Sequence, residues 1–185
     1  MNIPGTVIPA ANGSGPGGCG FLSGIFTATS GLMLSQVREI TGLDAPALQN
    51  WVKRGWVSPP IKKRYGIDQV SRILIINMLR GVFSLESIAF LLSYINGRVD
   101  DLSDDIIPES VLYEYFCRII TESGAPDLGD RRKLHDAIDG CVRQYKETIP
   151  GAAERLRRAL EILVTGYSCA CMKDDAERML DQLRE

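Results

Sequence analysis

Pro46, Gln49, Asn50 and Lys53 recur at i, i+3, i+4 and i+7, the spacing that sets four residues on one face of a helix. Each amide both donates and accepts, as adenine N6 and N7 require, and a lysine beside them suits a phosphate in the same major groove. Further on, Lys62, Lys63 and Arg64 are followed by Tyr65, three adjacent cations and a phenol suited to the sugar-phosphate backbone. The chemistry these residues point to is recognition of double-stranded DNA. With the neighbouring polar and basic positions, the candidate contact set is Ser35, Arg38, Gln49, Asn50, Lys53, Arg54, Lys62, Lys63, Arg64 and Tyr65.

Two short helices must position that face. Leu34, Val37 and Ile40 make one apolar stripe, and Gly42-Leu43-Asp44 ends it with a residue that tolerates positive φ and a carboxylate suited to an N-cap. Pro46 fits a first helical turn. Leu48, Trp51 and Val52 then point inward, and Gly55 suits the position just past the helix end. The run Trp56 to Ile61 contains Pro59-Pro60 and cannot continue a helix. Spacing alone fits an ordinary helical hairpin with a solvated face equally well; the basic segment that follows favours a helix-turn-helix with a small wing. Both tryptophans read as packing residues rather than as a stacking platform for single strands.

Trp51, Gly55, Pro59 or Pro60, Arg64 and Tyr65, with the later stretch Arg80 to Ile88, resemble the MerR-type winged helix-turn-helix over residues 34 to about 96. Gln49 stands where many members carry arginine, and the stretch from Pro60 to Tyr65 is shorter than that family's usual first-wing hairpin. The strings TATSGLMLSQVREITGL, QNWVKRGW, INMLR and SYING are also similar to a bacterial family known as domain of unknown function 1836. That resemblance implies a small bacterial cytoplasmic protein with a MerR-like module, and it implies no activity.

The formal charge of −2 conceals an asymmetry. Leu34 to Arg80 carries eight cations against three anions, a net +5, whereas Gly81 to Asp130 carries two against ten, a net −8. Screening over about 8 Å in physiological salt lets the basic stretch act independently of the acidic one. With 45% hydrophobic residues in 185, the chain can bury one substantial core, or a small one beside a helical partner domain. No apolar run reaches the roughly 18 residues of a membrane span, and Gly20 to Ala28 is too short and lacks the basic lead of a secretory signal. Five cysteines at irregular spacing fit a reducing cytoplasm better than a disulfide framework.

The expected fold is all-α with a short β wing, in three parts. Residues 1–33 form an irregular lead rich in glycine and proline that packs on or covers the core. Residues 34–98 form the helix-turn-helix domain, and residues 99–185 a helical domain for homodimerisation or for sensing an effector. Asp68 to Leu79 is apolar almost all round and should lie at the centre; Leu85 to Ile95 follows, stopped by Asn96-Gly97. Helical stripes recur at Val111 to Ile120, at Leu134, Ile138, Cys141 and Tyr145, and at Leu156, Leu160, Leu163 and Tyr167, separated at Pro126 to Gly129 and Pro150-Gly151. Met172, Ala176, Met179, Leu180 and Leu183 suggest a last amphipathic helix. The seam at 156–167 lasts under two heptads, too short for a coiled coil, so packing within the chain is expected there.

Nothing else assembles a reactive site. Cys169 and Cys171 lack the second pair or histidine of a zinc centre, and Cys19, Cys117 and Cys141 read as packing residues. His135 has no nucleophile in view. The glycines from Gly13 to Gly20 lack the following Gly-Lys-Ser/Thr of a phosphate loop. Asp100-Asp101 and Asp104-Asp105 lack the glycine and terminal glutamate of a calcium loop and read as a solvated acidic linker with capping near Pro108. No metal, cofactor or enzymatic activity is expected. The alternative to a DNA-binding transcriptional regulator is a protein-interaction or small-ligand module with a winged-helix core that does not read DNA.

Overall fold

The computed structural model describes residues 2–10, 19–99, 101, 103–123 and 131–184. Among these, eight helices and two short strands follow in the order α1 (Cys19–Ala28), β1 (Leu32–Met33), α2 (Leu34–Thr41), α3 (Ala45–Lys53), β2 (Arg64–Tyr65), α4 (Ile67–Leu79), α5 (Leu85–Asn96), α6 (Glu109–Ser123), α7 (Arg131–Gln144) and α8 (Ala152–Gln182). The protein is mainly helical, and its sheet is a single antiparallel pair, Leu32 facing Tyr65 and Met33 facing Arg64. No helix among the described residues is long and apolar enough to cross a membrane.

Helix α4 is the axis. Nine of its thirteen residues are buried, from Val70 to Leu79 with only Asn77 less enclosed, because its apolar side chains circle the helix and need cover on every side. That cover comes from α1, α2, α5, α6 and α8. Leu22, Trp51, Ile75, Phe116, Ile138 and Leu163 all belong to one continuous core, so the expected change of role at residue 99 is not a break in packing.

The lead is more regular than its composition suggests. Cys19–Ala28 is helical, buries Leu22 and packs Phe21, Ile25 and Phe26 on the core. Before it, Ile3 is buried, Val7 N–H donates to the Ile40 carbonyl at 2.9 Å, and the Tyr113 hydroxyl donates to the Pro4 carbonyl at 2.8 Å. Gly5, at φ 75, lies so close to the Leu74 carbonyl that a β-carbon would collide with it. Residues 11–18, with most of the glycines of that segment, lie outside the described residues, as do the expected breaks at 126–129.

The C-terminal end departs more sharply. The two amphipathic stretches expected at 156–167 and 172–183 are one 31-residue helix, α8. Its first half is intramolecular, as expected, with Leu156, Leu160 and Leu163 fully enclosed and Tyr167 edge-on to Phe116 at 5.3 Å between centroids. Gly166 allows α8 to approach the turn after α4, since a β-carbon there would stand 2.5 Å from Phe83 Cε2.

The acidic linker is only partly solvated. Asp68 Oδ1 accepts from the Ser110 backbone N–H at 2.9 Å, which helps to start α6. Glu109, in that first turn, forms a buried ion pair with Arg72 at 2.5 Å. Asp105 is half-buried nearby; burial first, then the charges of Glu109 and Asp104, push its carboxyl up to about 6.

Candidate nucleic-acid interface

The turn between α2 and α3 is fixed from several sides. Gly42 has φ 70 and donates its N–H to the Arg38 carbonyl at 2.8 Å, ending α2. Thr41 donates its hydroxyl to the Val37 carbonyl, while its own carbonyl accepts from Asn77 Nδ2 at 3.0 Å, tying the turn to α4. Asp44 then caps α3 by accepting from the Ala47 N–H at 2.8 Å, with Pro46 in the first turn. At the other end, Gly55 donates to the Val52 carbonyl and Trp56 to the Trp51 carbonyl, a Schellman ending with φ 72 at the glycine. A nine-residue helix pinned at both ends holds its side chains at fixed angles.

Leu48 and Trp51 are buried under α3. Pro46, Gln49, Asn50 and Lys53 are exposed on the outer face. None of the last three has a side-chain hydrogen bond or ion pair with the described residues, so their side-chain polar groups remain available. Ser35 and Arg38 are exposed on α2. Arg54, at the end of α3, stacks over the Trp56 ring at 5.1 Å and lies 3.6 Å from Glu86.

Beyond α3 the chain runs to the basic segment along carbonyls held by α4, with Gln69 Nε2 donating to Ser58 and Pro59 oxygens at 2.9 Å. Ile61 and Arg64 then exchange both backbone hydrogen bonds at 2.9 Å around Lys62 and Lys63. Both lysines have left-handed backbone, φ 49 and 64, the signature of a two-residue type I′ turn. The short Pro60 to Tyr65 stretch therefore closes as a hairpin of minimal length, with two exposed ammonium groups at its tip.

Two members of the expected contact set are placed otherwise. Tyr65 is 4% exposed: strand alternation turns it inward as Arg64 turns outward, and burial raises its phenol above the usual value. Arg64 donates from Nη1 to the Gly31 carbonyl at 2.8 Å, so its guanidinium also fastens β2 to the chain before β1. The free cations of the segment are Lys62 and Lys63.

Arg72 was visible in the sequence only as a charge, although an arginine within the apolar run of α4 signals a partner that must be buried with it. Its Nε donates to the Trp56 carbonyl at 2.6 Å while Nη1 holds Glu109. One side chain thus joins the segment after α3 to the start of α6. Beside it lies a cavity of about 540 Å³, lined by Trp56, Val57, Pro59, Arg72, Phe90 and Arg98 among others.

Cys169 is exposed and Cys171 half-buried, two positions apart and so on different sides of α8. Burial raises the Cys171 thiol, against the hydrogen bond from Tyr167. Cys141 Sγ accepts from Arg118, and His135 is exposed on α7. Among the described residues no group of three potential metal ligands comes together.

No solved structure matches the chain. The uncharacterized protein YkrK of Bacillus subtilis (strain 168) is 34% identical over 85 residues, which cover 44% of this chain and 36% of that protein. The matched part is therefore little more than a third of the relative's length. The family model described as a domain of unknown function, DUF1836, matches residues 24–116, a span that runs from the second half of α1 through α5 to the first half of α6. With half its length in that match, the chain belongs to the DUF1836 family.

Proposed function

We propose that this protein is a bacterial, cytoplasmic, DNA-binding transcriptional regulator whose core is a winged helix-turn-helix of MerR type. Helix α3 enters the major groove with Gln49 and Asn50 at base edges, and Lys53 with the Lys62–Lys63 tip holds phosphates on either side. One observation carries the reading: α3 is fixed at both ends by its own caps while the amides and lysine on its outer face have no partner among the described residues. Polar groups held at fixed angles and left unpaired are what direct readout uses. The acidic total charge of −2 would keep nonspecific affinity low.

The test is retardation of duplex DNA by the full chain across a salt series. Each phosphate contact contributes about −0.9 to the slope of log K against log salt, so Lys62→Ala with Lys63→Ala should flatten it by about two units. Gln49→Ala with Asn50→Ala should retain binding to random duplex and lose preference among sites selected by the parent, each bidentate contact being worth about 1–3 kcal/mol. Absence of retardation at low salt would remove DNA from the reading.

A second reading, a small-ligand module on the same core, is favoured by the cavity beside Trp56. Its volume of about 540 Å³ lies within the range of small-molecule sites. Filling it by Ala89→Trp would abolish ligand binding while sparing the outer face of α3.

A further inference from the structure

Helix α8 carries a second apolar seam on the side turned away from its own core. Ile162, Thr165, Cys169 and Met172 continue into Ala176, Met179 and Leu183 with spacings that alternate strictly between three and four, the a/d repeat of a coiled coil over three heptads. No charged residue interrupts it. The seam is open to solvent: Ile162, Met172, Met179 and Leu183 are 44, 60, 67 and 84% exposed. The charges of the same stretch pair along the helix, Lys173 with Glu177 at 3.2 Å, Arg184 with Asp181 at 3.0 Å, and Arg178 with Asp175. Of these, Lys173 and Asp175 border the apolar row and are already partnered, so covering the row does not strand them.

We propose that this face is where a second copy of the chain docks, α8 against α8, as a two-helix coiled coil. A heptad seam is complementary to itself, because a knob at each a or d position needs the hole that the same repeat supplies in the opposite helix. The area agrees. With Leu180 at 51% on its flank, the large side chains leave on the order of 600 Å² per copy, so two copies together remove roughly 1,000 Å², the size at which specific interfaces begin. The seam is also long enough: residues 162 to 183 span about 32 Å at 1.5 Å per residue. This pairing goes beyond the DNA reading and is measured without DNA.

Light scattering on the eluting full chain, at tens of micromolar, should return twice 20.4 kDa. Met172→Glu with Met179→Glu places two carboxylates in the seam at exposed positions and should return the monomer mass with the helical dichroism of the parent. Leu183→Glu, in the last turn, should weaken the dimer at least tenfold in Kd. Asp174→Ala, on the side of α8 that faces the N-terminal loop, should leave the dimer intact. A parent that stays monomeric at that concentration overturns the proposal, and so does a Met172→Glu/Met179→Glu variant that is folded and still dimeric.

Discussion

Lys62 and Lys63 hold left-handed backbone, a conformation that costs a residue with a β-carbon about 1 kcal/mol or more. Asn-Gly is the pair that adopts a type I′ turn with least strain, so the two ammonium groups are displayed at a cost in stability. Lys62→Asn with Lys63→Gly should therefore raise the melting temperature by about 2–4 °C for a chain of this size and reduce DNA affinity. Opposite signs in the two measurements are the expectation; a lower melting temperature would show that the lysines do not strain the turn. Arg64 and Tyr65 illustrate how far single residues could be read. Their types suggested phosphate contacts, but two adjacent strand residues face opposite ways, and it is Tyr65 that faces the core.

At the scale of elements, α2, the turn and α3 were legible because their ends are marked by particular residues: Gly42, Asp44 and Gly55 make the caps their types imply, and Pro46 sits in the first turn of α3. Helix α4 was legible from its unbroken apolar circuit. Helix α1 was not, since Gly20 and Gly24 weaken helix propensity and its stability comes from Leu22 and its neighbours packing on distant helices. Helix α8 was split in the reading because its apolar residues change sides: Leu156 to Tyr167 face inward, while Met172 to Leu183 lie on the solvent side. A continuous helix whose stripe moves around its axis looks like two. The inward half depends on Gly166. Gly166→Ala forces a β-carbon to 2.5 Å from the Phe83 ring, and overpacking of this kind costs about 1–3 kcal/mol. Thermal unfolding should show that loss, and Phe83→Leu in the same chain should recover part of it, because the two residues touch.

For the whole molecule, Asp105 in the acidic segment makes stability depend on pH. Folded Asp105 keeps its proton up to about pH 6, while an unfolded aspartate releases it near 3.8. Between those values the native state binds more protons, so stability declines as pH rises through them and is level above. Asp105→Asn should flatten that decline and raise the melting temperature at pH 7 by about 1–2 °C, a modest gain because the group is half-exposed and screened. Melting curves from pH 4 to 7 decide it; a parallel decline in the variant would assign the effect to another group. The burial of α4 on all sides has a wider consequence. Helix α4 belongs at once to the part that presents α3 and to the part that ends in α8, and the family match stops at residue 116, inside α6. The outward face of α3 therefore cannot be transplanted as a cassette: a fragment cut at residue 98 would bare the hydrophobic wall that α6 and α8 shelter, and it would precipitate unless another protein supplied a substitute wall.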